Sequence, residues 1–170
     1  MINNSNIIFY DPATDPYSDA TGMSSWNGEL QTTLNTVVTN ANYDIGHLFG
    51  ATGGGGNAGC IGCVCVNGQK GSGITSPGSG LPQGDSFDID YVAHEIGHQF
   101  GGNHTFSMSN EGTGANMEPG SGSTIMGYAG ITSQDVQPNS DAYFHAISIQ
   151  QITNNIKGKN KIKFSVVRYG

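Results

Sequence analysis

The stretch His94-Glu95-Ile96-Gly97-His98-Gln99-Phe100-Gly101-Gly102-Asn103-His104 decides how this chain is read. Residues four apart on a helix lie about 40° apart in projection, so His94 and His98 share one face. Both can offer a ring nitrogen to one ion at the roughly 2.0–2.1 Å that zinc and imidazole require. Glu95 follows the first histidine and projects about 100° further round. It can flank the ion without binding it, which is where a base acting on a metal-activated water must sit.

The opposite face supports the helix. Ile89, Val92, Ile96 and Phe100 recur at steps of three, four and four, an apolar stripe expected to pack on the core. Asp85 and Ser86 offer N-caps, while Asp88 and Asp90 suit the positive end of the helix dipole. Gly101 stands where the helix must stop and takes positive φ at little cost. That turn brings His104 back to the ion from off the helix; a continued helix would carry it too far along the axis.

The eleven residues read H-E-x-x-H-x-x-G-x-x-H, and Ser123-Thr124-Ile125-Met126-Gly127-Tyr128 supplies the methionine turn that accompanies this pattern downstream. In both respects the chain resembles the metzincin zinc metalloproteases, and among them the reprolysin-like bacterial members. Residues 42–47, 87–93, 118–122 and 141–145 look like that family too, extending the resemblance over roughly residues 6–156.

The resemblance implies an α/β (α+β) fold, an α/β/α sandwich. Its mixed twisted sheet would have an antiparallel edge strand, with an active-site helix and a C-terminal helix. It implies one catalytic domain, with an upper subdomain at 1–101, a lower one at 102–157 and a basic tail at 158–170. One catalytic zinc is expected on His94, His98 and His104, with Glu95 as general base and Met126 as an apolar floor beneath the metal. Tyr128 matches the position from which some metzincins offer a hydroxyl to the oxyanion. A strand over 59–66, through Cys60, Ile61, Gly62, Cys63 and Val64, is expected to pair antiparallel with substrate, giving affinity through the main chain. The implied function is secreted zinc endopeptidase activity on polypeptides. Calcium dependence is not legible. The alternative is a zinc-binding but inactive protease-like fragment that binds partners through the same cleft, a role with no chemical need for Glu95.

Two departures from the family set further expectations. Relatives usually carry a strand and a long helix before the segment that begins here at Ile7. Either the sequence is a fragment or the gap is filled, by the segment 162–167 or by a second copy of the chain. Relatives also often bracket the methionine turn with cysteines, and residues 110–132 contain none. That loop is expected to hold by packing alone and to be mobile.

Composition narrows the classes. The 170 residues suit one domain, with 27 glycines and 11% charged residues pointing to many turns and no charged disordered region. No apolar run approaches the ~20 residues of a membrane span, and no signal peptide is visible. All thirteen acids precede residue 157, opposed there only by Lys70; Lys157, Lys159, Lys161, Lys163 and Arg168 follow. A basic end on an acidic body, without a stacking array or base-reading motif, gives nucleic-acid binding little support. Residues 162–167 alternate weakly, as in a solvated segment or edge strand.

Along the chain, a strand is expected over 6–10, a helix over 26–39 and a strand over 43–49. His47 lies too far upstream to join the motif and reads as structural. Residues 53–56 are four glycines without the Lys-Ser/Thr ending of a phosphate loop. The spacing C-x-x-C-x-C of Cys60, Cys63 and Cys65 has no second cluster to complete a thiolate site, and buried unpaired thiols are expected. The last helix is expected to start at 138–141, with Ala142, Ile149, Ile152 and Ile156 on its apolar face and His145 at a surface or interface.

Overall fold

The computed structural model describes residues 5–157, 159 and 164–169. Its first helix, α1 (Trp26–Val37), forms because Trp26, Leu30 and Leu34 recur every fourth residue. With Val38 they bury against Ile7, Tyr43, Leu48 and Ile74, the main apolar core. Each large side chain so buried contributes about 1.5–3 kcal/mol. The helix stops two residues short of the expected end, and Thr39 takes a φ of 68°.

Among the described residues, five strands make one sheet: β1 (Ile8–Phe9), β2 (Ile45–Phe49), β3 (Gly55–Asn57), β4 (Gly73–Ser76) and β5 (Phe164–Tyr169), in the order β1-β5-β2-β4-β3. All neighbours are parallel except β3, which runs antiparallel to β4 at one edge. The mixed sheet with an antiparallel edge thus matches expectation, and its identity at the edge does not. Residues 59–66 were expected there, but Cys60 to Val66 form turns. Gly59, Gly62 and Cys65 all have positive φ, which no strand accommodates. The edge is built by Gly55, Gly56 and Asn57, the end of the four-glycine run and the residue after it, which have little strand propensity of their own.

Two strand glycines set how closely helices approach the sheet. A Cβ on Gly46 would lie 2.1 Å from Leu34 Cδ1 of α1, and one on Gly73 would lie 2.3 Å from the Gln99 amide carbon. Gln99 belongs to the helix that carries the zinc motif, so the two contacts mark the helical layers of an α/β/α sandwich. His47 in β2 completes the second contact. Its Nδ1 donates to Gln99 Oε1 at 2.8 Å, its Nε2 meets Thr75 Oγ1 at 3.1 Å, and Gln99 Nε2 donates to Gly46 O at 2.9 Å. Burial holds this imidazole neutral, its pKa down at about 4. His47 is a bolt between sheet and helix.

The C-terminal region departs from expectation twice. The last helix, α4 (Ala146–Ile156), starts later than 138–141, because residues 138–143 spend their backbone groups elsewhere. Asp141 N donates to Ser123 O, Ile125 N to Tyr143 O, and Ser140 N to the Asp90 carboxylate. His145 caps α4, its Nδ1 accepting from Ile147 N at 3.2 Å. Ser148 is the buried residue of α4, Ile152 and Ile156 are half-buried, and Ile149 is exposed. The second departure is β5, expected at an edge and found inside the sheet between β1 and β2. Of the stretch 162–167 read as a strand, Ile162 and Lys163 lie outside the described residues.

Candidate metal centre

The helix that carries the motif is three pieces in continuous sequence: α2 (Asp85–Phe87), a π-helical turn (Asp88–Ala93) and α3 (His94–Gln99). Its N-cap is Gly84, with no side-chain cap bond, so neither Asp85 nor Ser86 serves as the expected cap. A π turn takes up extra residues and breaks the 3.6-residue count. The stripe Ile89, Val92, Ile96 and Phe100 is therefore only half-buried, and the buried positions are Phe87, His94, Gly97, His98 and Gln99. The helix ends where expected, at Gly101 with φ 108°, and Gly102 N closes on Gly97 O.

Beyond that turn the chain returns. The Nε2 atoms of His94 and His98 lie 3.1 Å apart, and those of His98 and His104 lie 3.0 Å apart. Each ring's other nitrogen faces an oxygen that can only accept: His94 Nδ1 to Ile125 O at 2.6 Å, His98 Nδ1 to Gly102 O at 2.7 Å, His104 Nδ1 to the Glu111 carboxylate at 3.0 Å. The Nδ1 atoms hold the protons, and three Nε2 lone pairs converge. Burial, reinforced by the neighbouring imidazoles, holds His94 down at about 3 and His98 at about 4. Neutral nitrogens this close repel unless a cation lies among them. Two ligands at about 2.05 Å in a tetrahedral set sit about 3.3 Å apart, so the cluster fits zinc closely.

The methionine turn packs against the same helix. Met126 is fully buried, and a Cβ on Gly97 would lie 2.5 Å from its sulfur, so glycine is needed for helix and turn to meet. Thr105 N donates to Met126 O at 3.0 Å, and the adjacent Ile125 carbonyl is the acceptor for His94. The turn is itself held by Glu118, a buried acid that sequence reasoning passed over. Its carboxylate accepts from Ser123 N, Thr124 N and Thr124 Oγ1 at 3.0, 3.1 and 2.5 Å. Burial alone would raise this acid; the Thr105 and Thr124 side chains and the Ser123 and Thr124 amides outweigh it and lower the pKa. The loop expected to hold by packing alone is hydrogen-bonded at its base. The Glu-Pro-Gly-Ser-Gly run was legible as a family feature, but not that its acid points inward.

Glu95 lies beside the three imidazoles under strand β3. A Cβ on Gly56 would lie 2.5 Å from Glu95 Oε1, and the Ala58 amide donates to the carboxylate. Burial raises this carboxyl to about 7. Tyr128 packs its ring against His104 and Phe106, centroids 4.6 and 4.9 Å away, and burial pushes its phenol up. A cavity of about 560 Å³ opens beside His94 and Glu95, walled by Gly56, Tyr91, Tyr128 and Ile131. A smaller one, about 250 Å³, lies on the other side, where Cys60 and Ile61 face Glu95, His98 and His104.

The segment expected to pair with substrate is thus at the cleft but turned inward. Gly62 N donates to His98 O at 2.8 Å and Val64 N to Gln99 O at 3.2 Å, capping the end of α3. Cys60 and Cys63 form a disulfide and Cys65 alone is free, which corrects the expectation of three unpaired thiols. Asn155 of α4 donates to both Gly62 O and Phe100 O, so one side chain ties this loop to the helix end.

The profile of the metallo-peptidase family M12B, reprolysin-like, matches residues 1–156. The chain belongs to this family of metallopeptidases. No curated protein and no solved structure matches it. As a reprolysin-like metallopeptidase with three imidazoles gathered at one point, the protein is a zinc metalloprotease acting on polypeptides. The other two histidines of the M12B chain, His47 and His145, are occupied by the fold. His104→Ala is expected to lose zinc, while His47→Ala and His145→Ala retain it. The His47 variant should instead lose about 1–3 kcal/mol of stability, because the buried Gln99 oxygen is left unpaired. Metal analysis and thermal unfolding of the three variants check this; equal zinc loss in all three would discard His104 as a ligand.

Proposed function

We propose that the protein is a secreted zinc endopeptidase of the metzincin type, with Glu95 as general base. The observation that carries the reading is the placement of Glu95 in the walls of an open cleft shared with three converging imidazoles. Zinc held by His94, His98 and His104 would lower the pKa of a bound water to near 7 and polarise the scissile carbonyl. Glu95 takes the proton from the attacking water and delivers it to the leaving amine. The exposed side of β3 offers main-chain groups to an extended substrate, in the role first expected of residues 59–66. The Cys60–Cys63 disulfide suits an oxidising, extracellular setting.

Zinc content by metal analysis together with cleavage of denatured casein tests the reading. One zinc per chain without cleavage would favour the inactive binding module. The Tyr128 hydroxyl is assigned to the oxyanion. Tyr128→Phe should lower kcat more than it raises KM, by on the order of 10²–10³ in rate if the donor acts alone. A variant within a factor of two of wild type would make Tyr128 a packing residue for His104.

A further inference from the structure

Among the three imidazoles, His104 differs in how its far nitrogen is held. His94 and His98 donate Nδ1–H to the main-chain carbonyls of Ile125 and Gly102. His104, off the helix, faces both carboxylate oxygens of Glu111 at 3.0 and 3.1 Å. Glu111 stands outside the zinc motif, seven residues further on, in a loop with its own fastening. Asn116 Oδ1 accepts from Glu111 N at 3.2 Å, and Asn116 Nδ2 donates to Phe106 O at 2.8 Å. Phe106 in turn stacks on the His104 ring, centroids 4.8 Å apart and planes 24° apart. One short segment therefore grips both the edge and the face of the third ring.

We infer that Glu111 is a positioning residue for His104 that sets how tightly the protein holds zinc. This inference rests on the zinc-ligand reading of the three histidines. The helical backbone of α3 fixes His94 and His98, whereas His104 sits in irregular chain and needs its orientation supplied. A carboxylate acceptor does this and also makes the opposite nitrogen a stronger electron donor. It adds something the two carbonyls lack, an acidic side chain beside the converging imidazoles. The Glu111 side chain is 33% exposed, so water screens part of its charge. An outer partner of this kind is typically worth about 10–100-fold in metal affinity.

The test is zinc affinity at one fixed pH, by chelator competition, for Glu111→Gln, Glu111→Ala and His104→Ala. It is paired with thermal unfolding of the metal-free proteins and the visible spectra of their cobalt-loaded forms. Glu111→Gln keeps an acceptor oxygen and removes the charge, which separates orientation from electrostatics. Glu111→Ala should bind zinc about 10–100-fold more weakly, with Glu111→Gln between it and wild type. Both should shift the cobalt spectrum and leave metal-free stability unchanged. Wild-type affinity in Glu111→Ala beside a collapse in His104→Ala would overturn the role of Glu111 and spare the ligand set. Wild-type affinity in both would overturn the ligand reading itself. A weakened site explained by lower metal-free stability would make Glu111 a loop-folding residue and also overturn the inference.

Discussion

Glu95→Gln should retain one zinc per chain and lose peptide hydrolysis by about 10²–10⁴-fold, the range that general acid–base groups contribute. The two roles separate because Glu95 is not among the converging nitrogens. The three Nε2 atoms that converge belong to His94, His98 and His104, and the Nδ1 partners of those rings are Ile125 O, Gly102 O and the Glu111 carboxylate. Glutamine has nearly the same shape, so it can stay packed under Gly56 and still accept from the Ala58 amide. What it cannot do is take up a proton. Burial raises the proton affinity of the Glu95 carboxyl above that of an exposed acid, the direction a general base at neutral pH requires. The measurement is zinc content beside initial rates of casein cleavage at pH 7. Zinc loss in the variant would make Glu95 part of metal retention, and unchanged turnover would remove it from the chemistry.

The centre was legible in the sequence because its constraints are local. Spacings of four and six residues and a glycine with positive φ bring His94, His98 and His104 together, and the methionine turn was legible as a motif of its own. Helix α1 was legible for the same reason, since its periodicity runs unbroken from Trp26 to Leu34. What escaped depended on partners far along the chain. The π turn at 88–93 is invisible to a count that assumes 3.6 residues per turn. Strand β3 is made of glycine and asparagine, and it exists because β4 offers it a ladder. Cys60 to Val66 look like a strand by composition, yet the Gly62 and Val64 amides are taken by the carbonyls that end α3 and the Cys65 amide by Asp44 O. Glu118 and Glu111 are both acids whose role is set by what folds against them.

Strand β5 gives the largest expected effect on stability. It pairs with β2 along five residues, from Ile45 opposite Phe164 to Phe49 opposite Arg168, and with β1 through Ile8 and Phe9. Deleting residues 160–170 removes the middle of the sheet. Lys159 is kept, because its ammonium group donates to Gly62 O and Val64 O and would confuse the result. Without β5, β1 loses its partner in the described sheet and β2 exposes a full row of unpaired amides and carbonyls. An exposed apolar edge of this kind invites association. A loss of about 3–5 kcal/mol is a large share of the 5–15 kcal/mol that holds a typical domain together, and at this size it lowers Tm by roughly 6–20 °C. The damage should reach the zinc site through β2, whose His47 side chain and Gly46 carbonyl both hold Gln99 of α3. Added zinc should therefore recover part of the lost Tm, because binding to the native state alone opposes unfolding. Thermal unfolding with and without zinc, together with dye binding and sedimentation, reads all three effects. A truncated chain that is monomeric, binds no dye and melts with wild type would show that β5 contributes nothing to the sheet's stability.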